Sequence, residues 1–81
     1  MIDNTLANAP AEIELTITSI QSGQEAKKRL LALGLQVGDR VQKQNGSQHG
    51  PVLVRNISQQ ANKLAIGRGL ASRITVSYES D

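Results

Sequence analysis

Apolar and polar residues alternate along one stretch of this chain, recur at helical spacing along the next, and break into short runs after that. From Glu12 to Ile20 the period is two: Ile13, Leu15 and Ile17 take one side, and Glu14, Thr16 and Thr18 the other. With β-branched residues, that is the pattern of a half-buried strand. At Ser22 the period lengthens. Ser22 and Glu25 make an S-x-x-E capping box, which satisfies the orphan N–H groups where a helix begins. Ala26, Leu30 and Leu33 follow at helical spacing, and Glu25 and Arg29 stand four apart, as a helix ion pair does. Gly34 supplies a left-handed stop, with Leu35 placed to fold back on Leu30 in a Schellman end. The predicted helix runs from Gly23 to Leu33.

Beyond it the apolar runs are short. Gly38 to Lys43 predicts a second strand with only Val41 inward. Residues 44–50 are dense in turn formers and read as a hairpin tip. Pro51 lacks a ladder donor, so it should open the third strand, Val52 to Ile57. A turn at 58–62 leads to a short fourth strand, Lys63 to Ile66. Residues 67–72 are too few for a regular helix and predict a 3₁₀-like turn, its glycines admitting positive φ. Arg73 to Tyr78 is the fifth strand, with Ile74, Val76 and Tyr78 on one face. Residues 1–11 are polar and Ala-rich and read as a lead-in segment. The expected architecture is one all-β domain over 1–81. It has about five strands, one helix after the first strand and a short turn before the last. Short strands joined by tight turns favour a small closed barrel, which leaves no exposed edge.

Composition narrows what such a scaffold can do. Eighty-one residues make one domain with a small core, since a chain this short buries roughly 60% of its unfolded surface. Phe, Trp and Cys are absent, and Tyr, His and Met occur once each, so the core must be Leu, Ile, Val and Ala. Without Cys there is no disulfide and no thiolate metal site, which fits a reducing compartment. Met1 to Pro10 carry neither positive charge nor a signal-like apolar run, and no stretch approaches the ~20 apolar residues of a membrane span. A soluble, cytoplasmic protein is expected. The net charge of +2 is too mild to indicate nucleic acid.

The side chains that carry chemistry do not assemble in the sequence. His49 is the single imidazole, it falls in the 44–50 loop, and the nearest carboxylate in sequence is Asp39. A ferrous site needs several such ligands to converge, so no metal and no cofactor are expected. No Ser has an evident base and orienting group, so no catalysis is expected either. Gly67-Arg68-Gly69 is followed by a strand rather than the helix a phosphate loop requires. One Tyr is too little aromatic surface for a base-stacking platform. What remains is protein binding. Leu30, Leu33 and Leu35 are the most apolar cluster, with Arg29 and Arg68 as flanking cations and Leu70 beside Arg68. The same leucines at helical spacing equally suit the core that packs helix on barrel.

Two motifs resemble one known family. Arg29-Leu30-Leu31-Ala32-Leu33-Gly34-Leu35, followed by Val37-Gly38-Asp39 and Val41, is similar to the "RRLLxLGLxxGxxV" signature of the FeoA family. Ala65-Ile66-Gly67-Arg68-Gly69-Leu70-Ala71, with Ile74 and Val76, is similar to its C-terminal "AIGRxLAxxIxV". Gly50-Pro51-Val52-Leu53-Val54 looks like its central strand, and Thr5-Leu6 with Glu12 like its lead-in, so the resemblance covers nearly the whole chain. It implies an SH3-like barrel with a helix inserted after the first strand. It also implies a non-enzymatic, cytoplasmic accessory protein of ferrous-iron uptake. The partner would be the cytosolic GTP-binding region of a FeoB-type membrane transporter. Contact residues to expect are Arg29, Leu30, Leu33, Leu35, Arg68 and Leu70. Two other readings stand beside it: a small nucleic-acid-binding barrel, and a free-standing relative of the SH3-like domain of iron-dependent repressors. Residues 45–51 depart from the family's Ala-Pro-Leu-Gly-Asp-Pro-like loop, so contacts made by that loop are not carried over.

Overall fold

Six antiparallel strands form a single sheet in the computed structural model, which describes residues 1–21, 23–44, 50–59 and 63–79. They are β1 (Ile2–Thr5), β2 (Glu14–Ile20), β3 (Arg40–Lys43), β4 (Val52–Asn56), β5 (Lys63–Ile66) and β6 (Ile74–Tyr78). Helix α1 (Gly23–Ala32) joins β2 to β3, and a single turn, α2 (Arg68–Ala71), joins β5 to β6. The strand order is β1-β6-β2-β3-β4-β5. The all-β expectation holds, with two corrections. The lead-in contributes a sixth strand, because β1 pairs with β6 from Ile2↔Tyr78 to Thr5↔Thr75. The sheet is also open, with β1 and β5 as its edges, rather than closed into a barrel. Each edge is only four residues long, which limits the unpaired backbone groups it presents.

The alternation in β2 survives a break in register. Ile17 pairs with Val76 and Ser19 with Thr75, so Thr18 is an extra residue, a bulge. Leu15 and Ile17 are buried before it and Ile20 after it, a change of parity that restores an apolar residue to the core side. Ile13 lies before the strand and is exposed, so the expected three-residue face is two. The rest of the core is aliphatic: Leu6, Val41, Val54, Ile66, Ile74 and Val76 are fully covered.

Helix α1 buries Ala26 and Leu30, one turn apart. It ends in a Schellman arrangement. The Leu35 N–H donates to the Leu30 carbonyl at 2.8 Å and the Gly34 N–H to the Leu31 carbonyl at 2.9 Å. Gly34 has φ +91°, the left-handed conformation this motif demands. Leu33 therefore belongs to the terminating turn rather than the helix. Ser22, the proposed capping residue, lies outside the described residues. Glu25 and Arg29 are both exposed and form no ion pair, as expected where solvent screening and side-chain entropy oppose so weak a contact. An ion pair joins Arg40 to Glu14 at 3.7 Å.

The 67–72 segment corrects the 3₁₀ expectation. Ala71 N–H donates to the Gly67 carbonyl and Ser72 N–H to that of Arg68, both at 2.9 Å, so the bonds are α-helical. Gly67 has φ −58° and Gly69 is not left-handed either, so neither supplies the positive φ expected of them. Pro51 stands immediately before β4, as its missing N–H requires. The tip of the β3–β4 hairpin, including His49, lies outside the described residues.

Candidate functional site

The end of α1 and the start of β3 are held together from below by one buried amide. Asn56 falls on the inward side of β4, between Val54 and the turn, and is 0% exposed. Its Nδ2 donates to the Gly34 carbonyl at 2.7 Å and to Oδ2 of Asp39 at 2.9 Å. The same carboxylate oxygen accepts the Gln36 N–H at 3.1 Å, and Asp39 N–H donates back to the Gln36 carbonyl at 3.1 Å. Gly38 N–H and the Asp39 carbonyl add bonds to Ile17, at 2.8 and 2.9 Å. The turn at 36–39 is thus fixed to β2, to β4 and to the helix end. A buried carboxylate is tolerable here because it is hydrogen-bonded on two sides.

Three apolar residues bracketing this clamp in sequence reach the surface. Leu31, Leu33 and Val37 are 60%, 42% and 53% exposed. Lys27, Lys28 and Arg29 are exposed on the same helix.

The six nominated contact residues divide into three groups. Leu30 and Leu35 are 0% and 1% exposed; they sit in the core and offer a partner no area. Arg29 and Leu33 are at the surface, at the C-terminal end of α1. Arg68 and Leu70 are half-buried on α2, with Leu70 packed on the core. Arg68 lies near Lys43, at the opposite end of β3 from Asp39. Lys43 is an inward-facing lysine, at a strand position that pairs with Val54. Its Nζ donates to the carbonyls of Ala7 and Ala9 at 3.0 and 2.7 Å, pinning the segment that follows β1. Burial, and secondarily the Arg68 guanidinium, holds its pKa below the ordinary lysine value.

Leu31, Val37, Asp39, Asn56 and Lys43 were not among the contacts expected from the sequence. Leu31 carried a signal, since it lies off the Ala26–Leu30 stripe and must face solvent. So did Asn56 and Lys43, polar residues two positions from Val54 and Val41 on inward faces. An open groove of about 400 Å³ is lined by Met1, Ile13, Glu14, Thr16, Ser77, Tyr78 and Glu79, with neither His nor Lys among them. Among the described residues no three His, Cys, Asp or Glu side chains converge as a metal site would require, and no helix is long and apolar enough to cross a membrane.

Residues 4–78 match the model of the FeoA domain. A protein of Methanocaldococcus jannaschii, provisionally named Fe(2+) transport protein A, is 38% identical over 71 residues, covering 88% of this chain and 82% of its own. The crystal structure of an iron uptake regulatory protein, FeoA, superposes with a TM-score of 0.81 at 25% identity, covering 95% of this chain and 97% of that one. The manganese regulator SloR contains the same fold, with a TM-score of 0.77 at 16% identity over 94% of this chain and 34% of its own.

Proposed function

The chain belongs to the FeoA family, whose SH3-like fold it shares, and on that premise we propose that it is a non-catalytic accessory protein of ferrous-iron uptake. It acts in the cytoplasm by binding the cytosolic, GTP-binding region of a FeoB-type transporter, shifting that region's conformational population. The shift is bounded by the difference in its affinity for the two states. The family match from residue 4 to residue 78 carries this reading, and the name of the archaeal relative, for Fe²⁺ transport, supports it. Binding rather than turnover is favoured because the covered ionisable side chains hold the scaffold together. Asp39 is held by Asn56 and Gln36, and Lys43 by two carbonyls.

Of the nominated contacts, Arg29 and Leu33 form one candidate surface, which Leu30 and Leu35 support from beneath. Arg68 and Leu70 form a second. The test is a titration of the whole chain against the purified cytosolic region of the transporter, with and without guanine nucleotide, alongside ferrous uptake in a deletion strain. Saturable binding and reduced uptake are expected. No binding together with normal uptake would overturn the proposal.

A further inference from the structure

Resting on that partnership, we propose that the docking surface is the corner made by Leu31, Leu33 and Val37. Its occupant is an apolar segment of the partner protein bordered by carboxylates. Single exposed aliphatic residues such as Leu53 are ordinary on a protein surface. These three belong to one rigid feature. Leu33 precedes Gly34, and Val37 lies in the turn closed by Asp39. Gly34 and Asp39 are bonded to the same Nδ2 of Asn56, at 2.7 and 2.9 Å. The Leu31 carbonyl accepts the Gly34 N–H at 2.9 Å, which ties the third residue to the other two. A patch fixed in this way loses little conformational freedom on binding, so more of the contact free energy appears as affinity.

The charge around the patch defines what fits it. Lys27 and Lys28 precede Leu31 by four and three residues, so their side chains are its neighbours on the helix surface, and Arg29 follows them. Glu25 is the sole carboxylate within α1. The rim is therefore cationic and complements carboxylates, which steer the encounter and set its register. A lipid surface fits less well. An interfacial helix submerges a whole apolar face, whereas the apolar stripe of α1, Ala26 and Leu30, is already in the core. A second copy is an outcome the test distinguishes, since the groove beside Ile13 carries the carboxylates of Glu14 and Glu79.

The experiment measures affinity for the transporter's cytosolic region across a salt series. It compares the unsubstituted chain with Leu31→Glu/Val37→Glu, Lys27→Glu/Lys28→Glu and Arg68→Glu, each checked for native circular dichroism. The two exposed apolar positions should tolerate Glu without unfolding. Their double variant should bind at least about tenfold more weakly, as loss of central contacts does. The lysine variant should lose affinity and most of its salt dependence, while Arg68→Glu should bind normally. Loss confined to Arg68→Glu, or unchanged binding by both α1-end variants, overturns this inference and leaves the proposed function standing. So does a loss matched by binding to phosphatidylglycerol vesicles or by self-association of the chain. No binding by the unsubstituted chain overturns this inference, and together with normal uptake in the deletion strain it overturns the proposed function as well.

Discussion

The side-chain amide of Asn56 donates to the Asp39 carboxylate at 2.9 Å across 17 residues of chain, in a position closed to solvent. The same amide reaches the Gly34 carbonyl at the end of α1. One β4 residue therefore decides where the helix stops relative to the strand that follows it. A hydrogen bond to a buried charge contributes more than a neutral one, because the carboxylate has no water to fall back on.

Replacing Asn56 by Ala should thus destabilise the fold by about 1–3 kcal/mol. The loss is moderated because Oδ1 of Asn56 is itself buried without a protein donor among the described residues, and that penalty disappears with the side chain. Urea denaturation, with the midpoint shifted and the slope unchanged, checks the figure. Asn56→Asp should be worse at neutral pH and recover on acidification. Two buried carboxyls in contact raise a folded-state pKa above its unfolded value, so the native state binds the extra proton. A variant Asn56→Asp as stable as the natural chain at pH 7 would remove the Asp39 contact from the account.

Two glycines that look alike in sequence should behave in opposite ways. Gly34 has φ +91° in the Schellman turn, and Ala there should cost about 1–2 kcal/mol. Gly67 has φ −58°, and a Cβ built on it meets nothing within 4 Å. Gly67→Ala should be neutral or stabilising by up to about 1 kcal/mol, since Ala narrows the unfolded ensemble without straining the folded one. Thermal unfolding of the two variants side by side gives the comparison.

What could be read from the chain before its structure follows the same division between local and non-local causes. Helix α1, its Gly34 stop and the Leu35 fold-back were legible because each is specified within a few residues. Strand β5 was placed to the residue by flanking turn chemistry. Strand β1 was not. Ile2-Asp3-Asn4-Thr5 has no alternation, and its strand conformation comes from pairing with β6, at the far end of the chain. The open sheet was hidden for the same reason, since closure depends on how distant edges meet. Leu30 and Leu35 were weighed both as core and as contact, and burial assigns them to the core. The exposed corner at Leu31 and Val37 went unnoticed because a helical stripe reports what is inside, and a turn residue between two glycines has no periodicity to report.

Lys43 gives the fold a titration signature in the alkaline range. Its pKa lies below the ordinary lysine value, chiefly because burial disfavours the ammonium and secondarily because Arg68 repels it. In the unfolded chain the same lysine keeps its ordinary value. Between the two values the unfolded state binds more protons than the native one, so stability rises with pH across that window and levels off above the ordinary value. Below the folded pKa the penalty is constant. Lys43→Met should abolish this rise. It should also lower neutral-pH stability by about 1–2 kcal/mol, since the Ala7 and Ala9 carbonyls lose their shared donor. Arg68→Met should move the Lys43 titration only part of the way back, because burial is the larger cause and remains. Carbon-13 shifts at Lys43 Cε, followed against pH in both chains, measure that displacement directly. Full restoration of the ordinary value in Arg68→Met would show that charge, not burial, governs this lysine.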